Sequence, residues 1–467
     1  MSKLSIEVLR ERVQGQVIVP DDADYDEART VFNAMIDKRP ALVARCASTA
    51  DVVASVGFAR ETGLPIAVRS GGHSIAGWSV CEGGLVIDLR GLNKVVVDPD
   101  AKRARAGGGA LWGEFDEATQ AHALHTPGGR VTTTGIGGFT TGGGYGWTSS
   151  KYGLACDNLV SAEVVLADGS VVTASENEHA DLFWGIRGGG GNFGIVTEFE
   201  FRLHDLGPMV LGGLLLWPID RAPEILRAWR GYVDTAPDEL STAAAVVTAP
   251  PEEFVPDELK GEPVIGLVVL YVGDPADGAA VVQPLKDLGP AVDLVQLMPY
   301  TAFQAFLDAM APAGFRGYFR GEYLNGLSDE AIDTFVAHAP AAAVMAPLSQ
   351  MVIFRIGQGV TAVPDEATAF SHRDATYLFH PVSAWAERRD DDRVIAANRA
   401  FAAAMRPFST GAAYLNFTVE ADRVRDAFGE RKYERLTALK DRYDPDNLFR
   451  LNQNIRPSKQ RGEPAVA

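Results

Sequence analysis

Three glycine-rich runs, all lying between residues 69 and 194, constrain this chain more than any other feature. Residues 69–77 read RSGGHSIAG. Residues 128–146 read GGRVTTTGIGGFTTGGGYG, with nine glycines, and residues 187–194 read RGGGGNFG, with five more. Such runs are too short, and too mixed with aromatic residues, to serve as flexible linkers. Glycine is favoured where backbone takes positive φ or must approach a ligand closely, so three neighbouring runs point to loops fitted around a bound molecule. No G-x-x-x-x-G-K-[ST] loop occurs. Gly189, Gly191 and Gly194 satisfy G-x-G-x-x-G, but Ile195–Phe201 after them alternates as a strand. A dinucleotide fingerprint needs a helix there, so that reading fails on context.

The rest of the composition mainly excludes. With 467 residues, 46% of them hydrophobic and 22% charged, the chain has the balance of a globular protein of two or three domains. A net charge of −18 repels phosphate backbones and anionic lipid, which argues against nucleic-acid and membrane partners. No apolar run reaches the length of a membrane span. The charged N-terminus lacks the apolar stretch of a signal peptide, so a soluble, cytoplasmic protein is expected. Cys46, Cys81 and Cys156 are an odd number without regular spacing, which excludes a disulfide scaffold, and no Cys/His cluster suggests a metal.

Periodicity predicts an α+β fold. Short strands are expected at Pro65–Arg69, Gly84–Arg90 and Lys94–Asp98, with a hairpin over Leu159–Ala174 turning at Asp168-Gly169. Helices are expected at Thr49–Gly63, between a Ser48/Thr49 cap and a Gly63 stop, and at Ala110–His122. Beyond Leu206 the ligand-loop texture ends. Strands at Val264–Val272, Gln350–Ile356 and Thr376–Trp385 alternate with helices at Ala222–Thr235, Asp329–Ala339 and Arg388–Met405, which reads as a second domain of a sheet backed by helices. The expected division is 1–206, 207–417 and a returning segment 418–467, with residues 456–467 disordered.

His73 stands in a glycine-flanked loop just after a predicted strand, where functional residues are commonly carried. Tyr414 and Asn416 would share one face of a strand, with Leu415 and Phe417 on the other. Asn416-Phe-Thr418 also matches a glycosylation sequon, read as a chance match. RSGGHS, the TGIGGFTTGGGYGWTSSKYGLACDN block, RGGGGNFGIVTEF and the ending YDPDNLFRLNQNI occur in order. Together they resemble the berberine-bridge-enzyme-like branch of flavoproteins with the vanillyl-alcohol-oxidase / p-cresol-methylhydroxylase fold.

The resemblance implies an FAD-binding domain of the p-cresol-methylhydroxylase type, a substrate domain with an antiparallel sheet backed by helices, and oxidation of a small-molecule substrate. Oxygen or another acceptor would then take the electrons. It makes His73 the attachment point to the flavin 8α carbon and Cys156 the second attachment, to C6, giving bicovalent FAD. Arg69, Ser70, Gly71, Gly72, Ser74 and Gly77 would surround the pyrophosphate. Gly135, Gly137, Gly138, Gly142, Gly143, Gly144, Tyr145 and Gly146 would pass against the cofactor, with the Ile136 side chain near the flavin face controlling oxygen access. Gly153, Leu154, Asp157 and Asn158 flank Cys156 on the same surface, and Gly194, Ile195, Val196, Asn452 and Asn454 complete the cofactor set.

By the same resemblance, Tyr414 is the general base and Asn416 its positioning partner. The phenol's pKa would have to be lowered from ~10 for that role. The favoured reaction is oxidation of a CH–OH group, with a sugar or oligosaccharide as the candidate substrate, by hydride transfer to flavin N5. An amine, alkaloid or other natural product on the same scaffold, or a flavin-binding protein without turnover, is the alternative. Gln350, His372, Tyr377 and His380 are candidate substrate contacts from the second sheet.

Overall fold

A computed structural model describes residues 3–419 and 423–460. Its first part holds two sheets. Gln16–Ile18, Leu42–Arg45, Leu85–Asp88 and Ile66–Arg69 lie side by side in that order; the first pair is antiparallel and the others parallel. Beside them stands the helix Thr49–Thr62. The Ser48 hydroxyl accepts from the Asp51 N–H at its start, and Gly63 ends it at φ +71°, where a left-handed residue closes the last turn. The second sheet is antiparallel throughout, in the order Val95–Asp98, Arg103–Gly107, Ile195–Arg202, Leu159–Val165 and Val171–Ser175. Gly169, at φ +86°, makes the expected hairpin turn between the last two strands.

After Met209 a single antiparallel sheet of ten strands takes over. Helices Ala222–Val233, Asp329–Met345 and Asp391–Met405 cover one of its faces, burying Trp217, Trp229, Phe335 and Phe401. The period-two alternation of strand side chains divides the sheet cleanly. On Gln350–Arg355, Met351 and Ile353 face the helices, while Gln350, Val352 and Phe354 face a cavity. On Tyr377–Trp385, Tyr377 and Phe379 face the helices, while His380, Val382 and Ala384 face the cavity. The helix Glu430–Tyr443 returns to the first part and packs Leu436, Leu439 and Tyr443 into the same core as Trp184 and Phe193. Lys440 is buried there against Asp444 at 2.6 Å and also donates to the Asn192 and Phe449 carbonyls, so its charge is fully partnered.

Two local expectations change. The strand expected through Tyr414–Phe417 ends at Ala413, and Leu415–Phe417 forms a 3-10 turn. Of the tail expected to be disordered, Ser458–Gln460 forms a 3-10 turn and residues 461–467 lie outside the described residues. No described helix is long and apolar enough to cross a membrane.

Candidate functional site

The glycine runs and the open face of the large sheet enclose one cavity of about 380 Å³. The glycines do local steric work. Gly71 and Gly135 meet backbone to backbone, and a Cβ on either would collide with the other's amide nitrogen. Ser70 ties the same two loops together by accepting from the Gly137 N–H at 3.3 Å. The loops thus form one wall, lined by Ser70, Gly71, Gly72, Ser74, Gly135, Gly137, Gly138, Gly142 and Tyr145. Gly194, Ile195, Val196 and Asn452 also line the cavity.

His73 opens onto the cavity from this wall, stacked on Phe32 at 4.2 Å between ring centres. Its Nε2 lies 2.8 Å from the Thr133 hydroxyl, which leaves Nδ1 as the unengaged ring nitrogen. Enclosure by protein lowers its pKa to about 4, so the ring is neutral near pH 7. The wall fits a dinucleotide flavin on two counts. The glycines Gly71, Gly72, Gly135, Gly137 and Gly138 line the cavity without side chains, and Asn452 presents a buried Oδ1 with no partner while its Nδ2 donates to the Gly191 carbonyl.

Cys156 does not reach this cavity. It has no exposed surface, sits in the core beside Tyr145, Trp147 and Leu154, and donates its N–H to the Gly143 carbonyl at 3.0 Å. Desolvation keeps its thiol protonated, with the pKa raised well above the ordinary value. The expected second attachment to flavin C6 therefore has no geometric support.

The residues around Cys156 brace the wall from behind. Asp157 pairs with Arg373 at 2.5 Å and accepts from the Leu154 N–H, and Asn158 donates to the Tyr152 and Leu154 carbonyls. Gly143, Gly144, Gly146, Gly153, Gly77 and Asn454 are likewise off the lining. Arg69 is buried and spends its Nη1 on the Ala28 carbonyl at 2.6 Å. Ile136 points into the core with Trp112, and Thr134 faces the cavity in its place.

Tyr414 is also displaced from its expected position. Its hydroxyl accepts from Gly144 N at 3.1 Å, Tyr145 N at 3.0 Å and Asn416 Nδ2 at 3.1 Å, and the ring faces only a small separate void. Burial outweighs those donors and pushes its pKa up to about 12 rather than down. The 3-10 turn after it brings Leu415, Asn416 and Phe417 together onto the cavity. Asn416 is held there by donating to the Phe139 carbonyl at 3.0 Å.

Of the four sheet residues, Gln350 and His380 line the cavity. Tyr377 is on the helix side, bonded to Asp234, and His372 contacts the Asp426 carbonyl away from the cavity. His380 stacks on Phe417 at 3.9 Å, and its Nδ1 lies 2.6 Å from the Arg320 carbonyl. A carbonyl can only accept, so Nδ1 carries the proton and Nε2 is left as an acceptor. Burial lowers the His380 pKa to about 3.

Sequence reasoning missed Arg130, Thr134 and Phe417, all on the cavity. Arg130 and Thr134 lie inside the quoted glycine block and Phe417 next to Asn416. An arginine embedded in a glycine run was the available signal. Among the described residues no group of His, Cys, Asp and Glu is arranged to hold a metal.

Comparison with known proteins supports FAD as the cofactor. Residues 40–175 match the family model "FAD binding domain" and residues 413–456 match "Berberine and berberine like". The chain is 32% identical to the (R)-6-hydroxynicotine oxidase of Paenarthrobacter nicotinovorans over 95% of its own length and 97% of the relative's. The crystal structure of 6-hydroxy-D-nicotine oxidase from Arthrobacter nicotinovorans superposes with a TM-score of 0.84 at 29% identity, covering 96% of this chain and 98% of that one. Glucooligosaccharide oxidase from Acremonium strictum, described with a 6-S-cysteinyl, 8α-N1-histidyl FAD, gives a TM-score of 0.85 at 25% identity, covering 97% and 99%.

Proposed function

The chain belongs to the berberine-bridge-enzyme-like FAD-linked oxidoreductases, and on that premise we propose that it oxidises a small, largely apolar molecule at a CH–OH or CH–N centre. One observation carries the reading: His73 on the glycine wall and His380 on the sheet open onto the same cavity, with Asn416 and Phe417 between the two walls. A bound FAD supplies the hydride acceptor. His73 is the point of covalent attachment, and the core position of Cys156 favours a single link. In place of the expected Tyr414 base, His380 offers Nε2 as a hydrogen-bond acceptor that orients the substrate's O–H or N–H, its low pKa keeping the ring neutral for that role. Phe417 packs against the His380 ring and fixes its plane.

The sheet wall, with Val352, Phe354, Phe319 and Val382, has little to hydrogen-bond a sugar and much to cover an aromatic or alicyclic ring. That composition moves the favoured substrate from carbohydrate toward a natural product or amine.

Acid-precipitated wild-type protein should remain yellow. Cys156→Ala should remain equally yellow, and His73→Ala should release its colour into the supernatant. A Cys156→Ala protein whose flavin becomes extractable would reinstate the cysteine link. Anaerobic mixing with a panel of aromatic alcohols, cyclic amines and sugars, read by bleaching of the visible flavin band, tests turnover; bleaching by sugars alone would reverse the substrate assignment.

A further inference from the structure

The cavity carries an electrostatic feature that oxidation alone does not require. In a chain of net charge −18, no Asp or Glu of the described residues lines it. Among the described residues two arginines do, Arg130 and Arg316. Arg316 is neutralised by a two-pronged pair with Asp391, both contacts at 2.5 Å. Arg130 has no carboxylate of the described residues within ion-pair distance. Its Nη1 and Nη2 donate to the Tyr145 and Gly146 carbonyls at 3.1 and 3.2 Å, and its Nε is buried with no partner. Three rings box it: Phe354 at 4.0 Å, Tyr145 at 4.6 Å and Trp147 at 4.8 Å from the guanidinium carbon. Burial lowers its pKa to about 10, which still leaves it charged at neutral pH.

A buried cation compensated only by carbonyl dipoles and ring faces is costly to keep unless a counter-charge arrives with the ligand. The box also removes the side-chain freedom that an arginine ordinarily loses on binding, so the fork is pre-organised. Phe354, the nearest ring, also lies 6.2 Å from His380 and 6.4 Å from Phe417. The charge therefore sits one ring away from the proposed hydrogen-bond acceptor, on the sheet side of the cavity.

We propose that Arg130 reads a carboxylate on the substrate, and that the substrate class is a small aromatic or otherwise planar acid. This rests on the oxidoreductase reading above and names its substrate class. The aromatic walls take the ring and the guanidinium takes the carboxylate, which leaves the oxidised carbon toward His380.

The test uses the flavin-loaded protein and two probes of the same shape, benzoate and its neutral counterpart benzamide, titrated while the visible flavin spectrum is followed. Benzoate should bind at least tenfold more tightly than benzamide. Arg130→Met should erase that preference with unchanged flavin content, and Arg130→Lys should keep part of it. Equal binding of the two probes by wild-type protein overturns the proposal, as does a preference that survives in Arg130→Met. A variant that arrives without flavin overturns it too, since Arg130 would then be holding the cofactor. If Arg130→Met does not fold, the wild-type and Arg130→Lys titrations decide alone. Wild-type protein that takes up no flavin at all sinks the parent reading, whereas flavin-loaded protein indifferent to probe charge sinks only this one.

Discussion

A phenol that accepts three N–H bonds and does not line the cavity is built to hold backbone, and Tyr414 holds the Gly144–Tyr145 turn and the Asn416 side chain together. Removing its oxygen strands the two buried backbone donors, Gly144 N–H and Tyr145 N–H, at a cost of about 1–3 kcal/mol each. Tyr414→Phe should therefore lower the thermal midpoint while leaving the flavin reduction rate within a few-fold of wild type. His380→Gln should do the reverse, slowing anaerobic reduction by roughly 10²-fold at unchanged flavin content.

The two assignments also differ in pH dependence. With a pKa near 3, His380 is an unprotonated acceptor throughout pH 5–9, so the reduction rate should be flat there. A Tyr414 base, at about 12, would make the rate climb tenfold per pH unit across the same range. Part of this site was legible in the sequence. His73 could be placed because a histidine between glycines after a strand has one short, constrained loop to occupy. His380 and Gln350 were legible only as sheet residues, because strand alternation says which residues share a face but not which face meets the ligand. Tyr377, three residues from His380, fell on the wrong side for that reason.

Elements with a strong local code were read closely. The helix from Thr49 was bounded by its Ser48 cap and Gly63 stop, and the hairpin turned at Asp168-Gly169 as its dipeptide dictates. The segment 414–417 was misread because a period-two pattern over four residues fits a strand and a 3-10 turn equally well. What turns the chain there is tertiary: Tyr414 is anchored by the distant Gly144 and Tyr145 amides. The glycine runs were legible as close-fitting walls, but which two loops touch was not. Gly71 and Gly135, far apart in sequence, meet with no room for a side chain. Gly135→Ala should therefore push the two loops apart and reduce bound flavin below a tenth of wild type. Gly57→Ala is the matched control. It lies inside the helix Thr49–Thr62 with nothing near its missing Cβ, and should be neutral or stabilising by about 1 kcal/mol. Full flavin loading in Gly135→Ala would show that the loop contact is dispensable.

At the scale of the whole molecule, function depends on keeping polar groups neutral inside a strongly acidic chain. His73, His204 and His380 all have pKa values lowered by burial, to about 4, 4 and 3. His125 is lowered as well, but it faces the buried Asp116 at 3.8 Å, whose carboxyl is raised well above its ordinary value, so that pair's contributions oppose each other. For the other three the direction is uniform. Once unfolded, each binds a proton near pH 6.5, whereas the folded form refuses it until about pH 4 or below. The unfolded state thus carries more protons across that window, and stability must fall as pH drops from 6.5 toward 4. Denaturant midpoints of the flavin-free chain should be level between pH 7 and 8 and decline progressively below 6.5, with net proton uptake on unfolding measurable in weakly buffered solution. A midpoint that rises on acidification would mean that buried carboxyls such as Asp116, not the histidines, dominate the pH response.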